Sequence, residues 1–376
     1  MNRKTKIFVG VSGGVDSSVA LALLKKEGYD VTGVFLKVWS PDFLPCDWKE
    51  ERRSAMRVCA TLGVPFLTLD CEKEYKKEVA DYMIREYSLG RVPNPDVFCN
   101  KYVKFGVFLK KALEMGVDYV ATGHYSLVRE CPISNVQFPN KNTKEYQLLE
   151  GKDKNKDQSY FLYTLNQEQL SHTLFPIGDM TKPEVRKLAK KFGLPTAEKK
   201  DSQGVCFLGK LDMKDFLTHY IKPKQGKVLN MDGKVVGFHD GAVFLTIGQR
   251  HGFTIIKKSS KEPRYFVVSK DLKNNTITVA SREIDKEAVY SIKNIFLREI
   301  NFICLKPKFP LKTSVRIRYR QEKQKCNLLT LSVSKSDKYQ VVFDKPQDAI
   351  AVGQSAVFYD GEVCLGGGII EKTSQV

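Results

Sequence analysis

Gly10-Val-Ser-Gly-Gly-Val-Asp-Ser17 decides how this chain reads. It follows a short apolar run, Lys6–Val11, and opens a segment of helical period, Asp16–Lys26, that Gly28 closes. Gly13 and Gly14 let main-chain amides come close to an anion, and the helix that follows adds its positive N-terminus. Ser12 and Ser17 supply hydroxyl donors, and Asp16 is placed to hold Mg²⁺ against phosphate oxygens. The loop is not a Walker A motif, because no Lys-Ser/Thr follows the glycines, and it lacks the G-x-G-x-x-G spacing of a dinucleotide site. A plain strand-to-helix turn would need one glycine, not this set of serines, glycines and aspartate.

Working outward, apolar β-branched runs alternate with helical periods. Strands are expected at Val31–Val38, Pro65–Leu69 and Tyr119–Thr122, and helices at Glu50–Leu62, Tyr75–Tyr87 and Lys101–Met115. That alternation predicts βαβ units around a parallel sheet, an α/β fold with its ligands beyond the carboxyl ends of the strands. Residues 130–158 read as polar and irregular apart from a strand at Tyr146–Leu149. Thr181-Lys-Pro-Glu184 has the form of a capping box and starts a helix over Pro183–Phe192. Beyond residue 212 the texture changes to strand-like runs split by Asp232-Gly233, Asp240-Gly241 and Asn274-Asn275. We therefore divide the chain into an α/β domain (1–212), a central β-rich module (213–285) and a C-terminal β-barrel (286–376).

The 376 residues carry 61 Lys and Arg against 43 Asp and Glu, a net charge of +18. Such a balance favours a polyanionic partner, with a lysine-rich solubility surface as the plainer alternative. Lys306–Lys325 concentrates it, and in a strand over Val315–Arg320 the side chains of Arg316, Arg318 and Arg320 would share one face. A second basic stretch runs from Arg186 to Lys200. No apolar run reaches the length of a membrane span, and the N-terminus lacks a signal peptide's apolar core, so a cytoplasmic monomer is expected. The nine cysteines are odd in number and read as lying in a reducing compartment, so no disulfide framework is expected, and the lack of a C-x-x-C pair speaks against a zinc or iron–sulfur centre.

Two cysteines stand in polar contexts. Cys99 closes Pro93-Asn-Pro-Asp-Val-Phe-Cys99, just ahead of a predicted helix whose N-terminus would lower a thiol pKa. Cys206 lies in Asp201-Ser-Gln-Gly-Val-Cys-Phe-Leu-Gly209, a small, polar segment suited to a loop. Cys59, Cys71, Cys304, Cys326 and Cys364 read as small core residues, and Cys46 and Cys131 carry no motif.

The Ser-Gly-Gly-Val-Asp-Ser segment resembles the loop of ATP-pyrophosphatases, the adenine nucleotide α-hydrolase-like enzymes. Further motifs follow in order: Gly90-Arg-Val-Pro-Asn-Pro-Asp96, Cys99-Asn-Lys, Ala121-Thr-Gly-His-Tyr125, Lys156-Asp-Gln-Ser-Tyr-Phe-Leu162, Ser202-Gln-Gly-Val-Cys-Phe207 and Thr246-Ile-Gly-Gln-Arg-His-Gly252. With them, nearly the whole chain resembles the tRNA-specific 2-thiouridylases, which convert the wobble uridine of certain tRNAs to 2-thiouridine.

The resemblance implies that ATP, with Mg²⁺ near Asp16, is held by Gly10, Val11, Ser12, Gly13, Gly14, Val15, Asp16 and Ser17 and by the backbone at Leu36 and Gly123. It implies that Asn94, Pro95 and Asp96 receive the flipped base, with Asp96 as acid or base. Cys206 would carry sulfur as a persulfide, and Cys99 would be the nucleophile that ends in a disulfide with it. His124, Lys156, Asp157, Gln158, Arg318, Tyr319 and Gln354 would contact a tRNA of the Glu, Gln or Lys type. A sulfur-donor protein of a cysteine-desulfurase relay would be the other partner. Val38, where relatives commonly carry asparagine, and the stretch Ser40–Trp48 depart from the pattern. An ATP-pyrophosphatase that ligates a small molecule would explain the loop but not the two cysteines. An RNA-binding protein with a vestigial loop would explain the charge but not the intact Ser12, Asp16 and Ser17.

Overall fold

The structure is a computed structural model that describes residues 3–44, 48–132, 144–201, 204, 206, 212–256, 264–281, 292–304, 306–333 and 336–375. Cys46, the 285 boundary and most of the Cys206 segment (202, 203, 205 and 207–211) lie outside the described residues.

The expected parallel sheet is present. Strands β1 (Lys6–Gly10), β2 (Asp30–Lys37), β3 (Phe66–Asp70) and β4 (Tyr119–Ala121) pair in the order β3-β2-β1-β4, all parallel. A hairpin of β5 (Ser126–Pro132) and β6 (Lys144–Glu150) follows, and the two-residue β7 (Thr173–Leu174) then adds to β4. β1 is buried on both faces: Ile7 and Val9 pack with helix α1 (Val15–Lys26) and Val58 of α2 (Trp48–Leu62), while Phe8 faces the opposite core. Gly33 of β2 lets α2 settle close, since a Cβ there would meet Cys59 Sγ. The strand order reverses between β1 and β4, so the crevice of the sheet opens at the loops after those two strands, where the glycine loop lies.

Two helices on the Phe8 face carry wide turns. The helix over 72–88 is wound as a π-helix at Lys76–Ala80, and the helix over 95–114 at Cys99–Phe108. The second helix begins at Pro95, behind the Asn94 cap, so Cys99 sits inside the helix and not ahead of it as the sequence suggested.

The central module is a five-stranded sheet of β8 (Gly226–Leu229), β9 (Val235–His239), β10 (Phe253–Ile255), β11 (Tyr265–Asp271) and β12 (Thr276–Ser281). Asp232-Gly233 and Asn274-Asn275 form its hairpin turns, with Gly233 and Asn275 in the left-handed region. The C-terminal strands β13 (Ile292–Phe302), β14 (Leu311–Arg316), β15 (Gln324–Val333), β16 (Ser336–Gln347), β17 (Ser355–Asp360) and β18 (Val363–Gln375) close into a barrel through the β13–β18 pairing.

The hairpin β5–β6, read from sequence as largely irregular, joins the barrel sheet by pairing β6 with β18. The two strands pair with each other over seven residues, and β6 adds two more pairs to β18. The barrel and the α/β domain also share a core, in which Val357, Tyr359, Cys364 and Ile369 pack in one cluster with Phe108, Val120, Tyr160 and Tyr163.

Arg316 seals this junction. β14 ends at Arg316, so the expected row of three outward arginines does not form. Arg316 turns inward instead, 2.9 Å from Glu150 and 2.8 Å from Asp157, and Lys323 adds a third contact to Glu150 at 2.9 Å. Both carboxylates are only 2% exposed, and removing the partner of such a buried charge is far costlier than losing a surface pair. Arg316→Ala should therefore lower unfolding stability by about 3–5 kcal/mol in urea titrations, while Lys312→Ala on the same strand should change it by under about 1 kcal/mol.

Candidate active site

The loop Val11–Gly14 leaves β1 and enters α1 with Gly13 at a φ of +76°. A Cβ at Gly13 would stand 2.6 Å from Glu51 O, so that position tolerates only glycine both by torsion and by space. Ser17 Oγ accepts from the Ser12 amide at 3.2 Å and lies 3.4 Å from Ser12 Oγ, which sets both hydroxyls on one side of the loop. Gly14 caps α1 without a side chain, so no side-chain acceptor occupies the helix N-terminus. This arrangement fits a polyphosphate group. Val11, Val15 and Leu36 are buried in the core and would serve a nucleotide only through their main chain.

Asp16 does not fit the Mg²⁺ expectation. Lys182 Nζ lies 2.7 and 2.8 Å from its two oxygens, and Tyr125 Oη donates to Oδ1 at 2.7 Å. A cation would have to displace an ammonium already in place, and we assign Asp16 no metal. Lys182, at the first position of the helix Lys182–Lys191, also lies 2.9 Å from Asp201. Asp201 is held by Lys156 and Arg186 as well, both at 2.6 Å. Burial alone would raise the Asp201 carboxyl, but these bonds hold it well below the usual carboxylate range. The Thr181–Glu184 capping box does form: Glu184 Oε2 accepts from Thr181 N at 2.6 Å and sets the start of this helix.

The end of β4 joins the glycine loop to a second cluster. A Cβ on Gly123 would stand 2.6 Å from Ser17 N and 2.7 Å from Asp16 C, so the two main chains pass in direct contact. The next two residues serve opposite sides. Tyr125 reaches Asp16, while His124 turns to Lys104, whose Nζ is 3.4 Å from His124 Nε2. In that second cluster the two singled-out cysteines meet: Cys99 Sγ lies 3.7 Å from Cys206 Sγ across 107 residues of sequence. Asp96 Oδ1 accepts from the Cys206 amide at 2.9 Å, and Tyr75 Oη donates to the Cys206 carbonyl at 2.7 Å.

Environment separates the two thiols. Burial pushes Cys99 well above its ordinary value, so the expected lowering by a helix N-terminus does not operate there. Cys206 moves the other way: the hydrogen bond from Cys99, helped by the Lys104 charge, lowers it against the effect of burial. Cys206 is thus the favoured thiolate, and Cys99 the thiol that donates to it. Burial raises the Asp96 carboxyl above its ordinary value despite the Cys206 amide and Lys104.

The expected tRNA contacts divide. Arg318 is about half exposed, its guanidinium resting on the Asp348 and Ala349 carbonyls, and Tyr319 leans on Phe161 with ring centroids 4.5 Å apart. Gln354 donates to the carbonyls of Val92 and Pro93 at 2.9 and 3.3 Å, so the barrel directly braces the Asn94–Asp96 turn. Asn94 itself is turned to capping, accepting from Val97 N at 3.4 Å. The side chains of His124 and Asp157 are buried and spent on Lys104 and Thr122, and on Arg316 and Ser159, and are not presented to a partner here. Gln158 accepts from the Tyr125 amide at 3.0 Å and braces the Gly123–Tyr125 turn.

Lys104, Lys182, Tyr75, Tyr125 and Asp201 were not singled out from sequence as site residues. For Lys104 the reason is geometric. Five residues of regular α-helix turn about 140° past one full turn, which would aim it away from Cys99. The π-winding of Cys99–Phe108 brings residues five apart nearly into line.

An α/β domain with a polyphosphate loop at its switch point, abutting a buried thiol pair, defines a nucleotide-dependent thiol enzyme. Three family profiles match the chain: a tRNA methyl transferase HUP domain over residues 5–210, a PRC-barrel domain over 214–281, and an aminomethyltransferase β-barrel domain over 292–370. The chain is 44% identical over 373 residues to the tRNA-specific 2-thiouridylase MnmA of Alkaliphilus oremlandii, covering 98% of each chain. It is 45% identical to that of Vibrio cholerae, covering 99% of this chain and 97% of the relative, and 43% identical to that of Streptococcus mutans, covering 100% and 97%. The chain belongs to the tRNA-specific 2-thiouridylase family.

Gly123→Ala should weaken binding of a non-hydrolysable ATP analogue roughly tenfold or more in calorimetric titrations, because it forces the two main chains apart at the loop. An unchanged affinity would remove Gly123 from the nucleotide site.

Proposed function

We propose that this protein replaces the C2 oxygen of a tRNA wobble uridine with sulfur at the expense of ATP, giving 2-thiouridine, AMP and pyrophosphate. The observation that carries this reading is the contact of Cys99 and Cys206 at 3.7 Å, with Asp96 on the Cys206 amide. Residues 1–212 carry the chemistry in this reading, and 213–285 and 286–376 hold the RNA.

The glycine loop, Ser12, Ser17 and the Gly123 main chain hold ATP, and AMP is transferred to the uridine C2 oxygen, which makes it a good leaving group. The base must leave its stack to reach the site, at least cost from an unpaired loop, and the Asn94–Asp96 turn receives it. A sulfur-donor protein of the desulfurase type loads Cys206 as a persulfide. The terminal sulfur of that persulfide bonds to C2, and AMP leaves with the former C2 oxygen. Cys99 then gives up its thiol proton to a base, Asp96 in this reading, and attacks Cys206 Sγ. The persulfide S–S bond breaks, its electron pair goes to the sulfur on C2 to complete the thiocarbonyl, and a Cys99–Cys206 disulfide remains. A dithiol reductant restores both thiols. The two sulfurs need only close from 3.7 Å to bonding distance, about 2.05 Å, for that step.

The test is nucleoside mass spectrometry on unmodified glutamate, glutamine or lysine tRNA incubated with protein, ATP, Mg²⁺ and a desulfurase with cysteine. One sulfur should replace one oxygen at the wobble uridine, only with ATP, and Cys99→Ser and Cys206→Ser should each abolish the exchange while keeping tRNA affinity. Near wild-type thiolation by either variant would refute the two-cysteine mechanism.

The exposed part of the barrel's basic stretch supports tRNA contact through Arg318 and Tyr319, with Lys156 on the α/β side. Arg318→Glu should weaken tRNA binding and reduce the slope of log affinity against log salt by about 1. An unchanged slope would return Arg318 to the role of a solubilising charge.

A further inference from the structure

The reading above leaves one cation of the thiol cluster without a role. Lys104 projects from the π-wound turn that also holds Cys99, and its Nζ lies 3.4 Å from His124 Nε2. An ammonium can only donate, so Nε2 must be the acceptor. The ring proton then sits on Nδ1 and is donated to Thr122 Oγ1 at 2.7 Å. Phe105 and Phe175 pack against the imidazole, with centroids 5.9 and 5.8 Å away. Burial, reinforced by the lysine charge, keeps His124 well below its ordinary value, so the ring is a fixed neutral acceptor that aims the lysine.

The titratable groups around Lys104 are Asp96 and Cys99 from its own helix, Cys206 from the following segment, and His124. Tyr75, from the helix over 72–88, closes the cluster against the thiols and Asp96. Asp96, Cys99 and Cys206 can each become an anion, and Lys104 is the cation that acts on all three. Burial would favour its neutral form, but these neighbours outweigh it and keep Lys104 charged.

We propose that Lys104, aimed by the neutral His124, is a catalytic residue that holds the reactive sulfur on Cys206 as an anion until it bonds to carbon. The proposal rests on the reading that Cys206 carries the sulfur. An ordinary thiol with a pKa of 9.0 is only about 1% thiolate at pH 7, so a cation fixed beside it raises the reactive fraction more than it dulls the nucleophile.

The experiment compares the wild type, Lys104→Met and Lys104→Arg without tRNA. The rate of iodoacetamide alkylation at the Cys206 peptide is followed by mass spectrometry from about pH 6 to about pH 10, beside thermal melts. Lys104→Met should raise the alkylation midpoint by at least about one pH unit, which is a tenfold slower reaction at pH 7, and Lys104→Arg should restore most of it. In the tRNA assay, thiolation by Lys104→Met should recover as the pH rises. A Lys104→Met protein that melts like the wild type and keeps its alkylation midpoint would overturn the proposal. So would an equal slowing at every pH, which would mark a structural role. If the wild type makes no thiouridine while the midpoint still moves, the sulfur-carrier reading fails and the pairing of Lys104 with Cys206 stands.

Discussion

The contact of two main chains at Gly123 is the constraint on which the site depends. With no side chain there, the end of β4 lies on the first turn of α1, and the residues that follow are committed to opposite sides. Tyr125 locks Asp16 of the glycine loop, and His124 faces the lysine of the thiol cluster. Three consecutive residues, Gly123 to Tyr125, thereby touch both the glycine loop and the lysine of the thiol cluster. A larger residue at 123 would push the end of β4 off the first turn of α1 and disturb the glycine loop directly.

The second structural theme is attachment of the barrel. Its core residues Val357, Tyr359 and Ile369 continue the core of the α/β domain, and Arg316 with Lys323 neutralises two carboxylates that the junction buries. Gln354 and the pairing of Val92 N with Val352 O then fix the turn that carries Asn94 and Asp96. The basic stretch of the C-terminal third is therefore divided in function. Arg316 holds the domains together, whereas Arg318 keeps an exposed guanidinium two residues later, after the strand has ended.

Charge placement explains why two chemically identical thiols differ. Cys99, fully buried on its helix, is forced towards the neutral form, while Cys206 accepts its hydrogen bond and feels the nearby ammonium. One thiol thus leans towards the thiolate and the other towards the neutral form, the asymmetry that the proposed two-step transfer would use.

The parallel sheet, its switch-point loop and the β-rich remainder were legible in the residues, because strand alternation, glycine torsions and local capping are properties of short stretches, whereas the pairing of Cys99 with Cys206 came only from the family resemblance. Three features were not. The β5 strand formed by pairing along its length with β6, of which the sequence marks only Tyr146–Leu149 as a strand, and β6 then met β18, more than two hundred residues away. Arg316 turned inward because the carboxylates it neutralises, Glu150 at the end of β6 and Asp157 in the loop beyond it, are distant in sequence. Lys104 came into line with Cys99 because the helix widens to π-winding, which a period of 3.6 does not foresee. The sequence alone determined which chemistry-bearing residues the protein has and the sheet that gathers them. The tertiary structure alone decided which charges are spent on burial and which face the two thiols, since desolvation and pairing depend on neighbours that the chain order does not reveal.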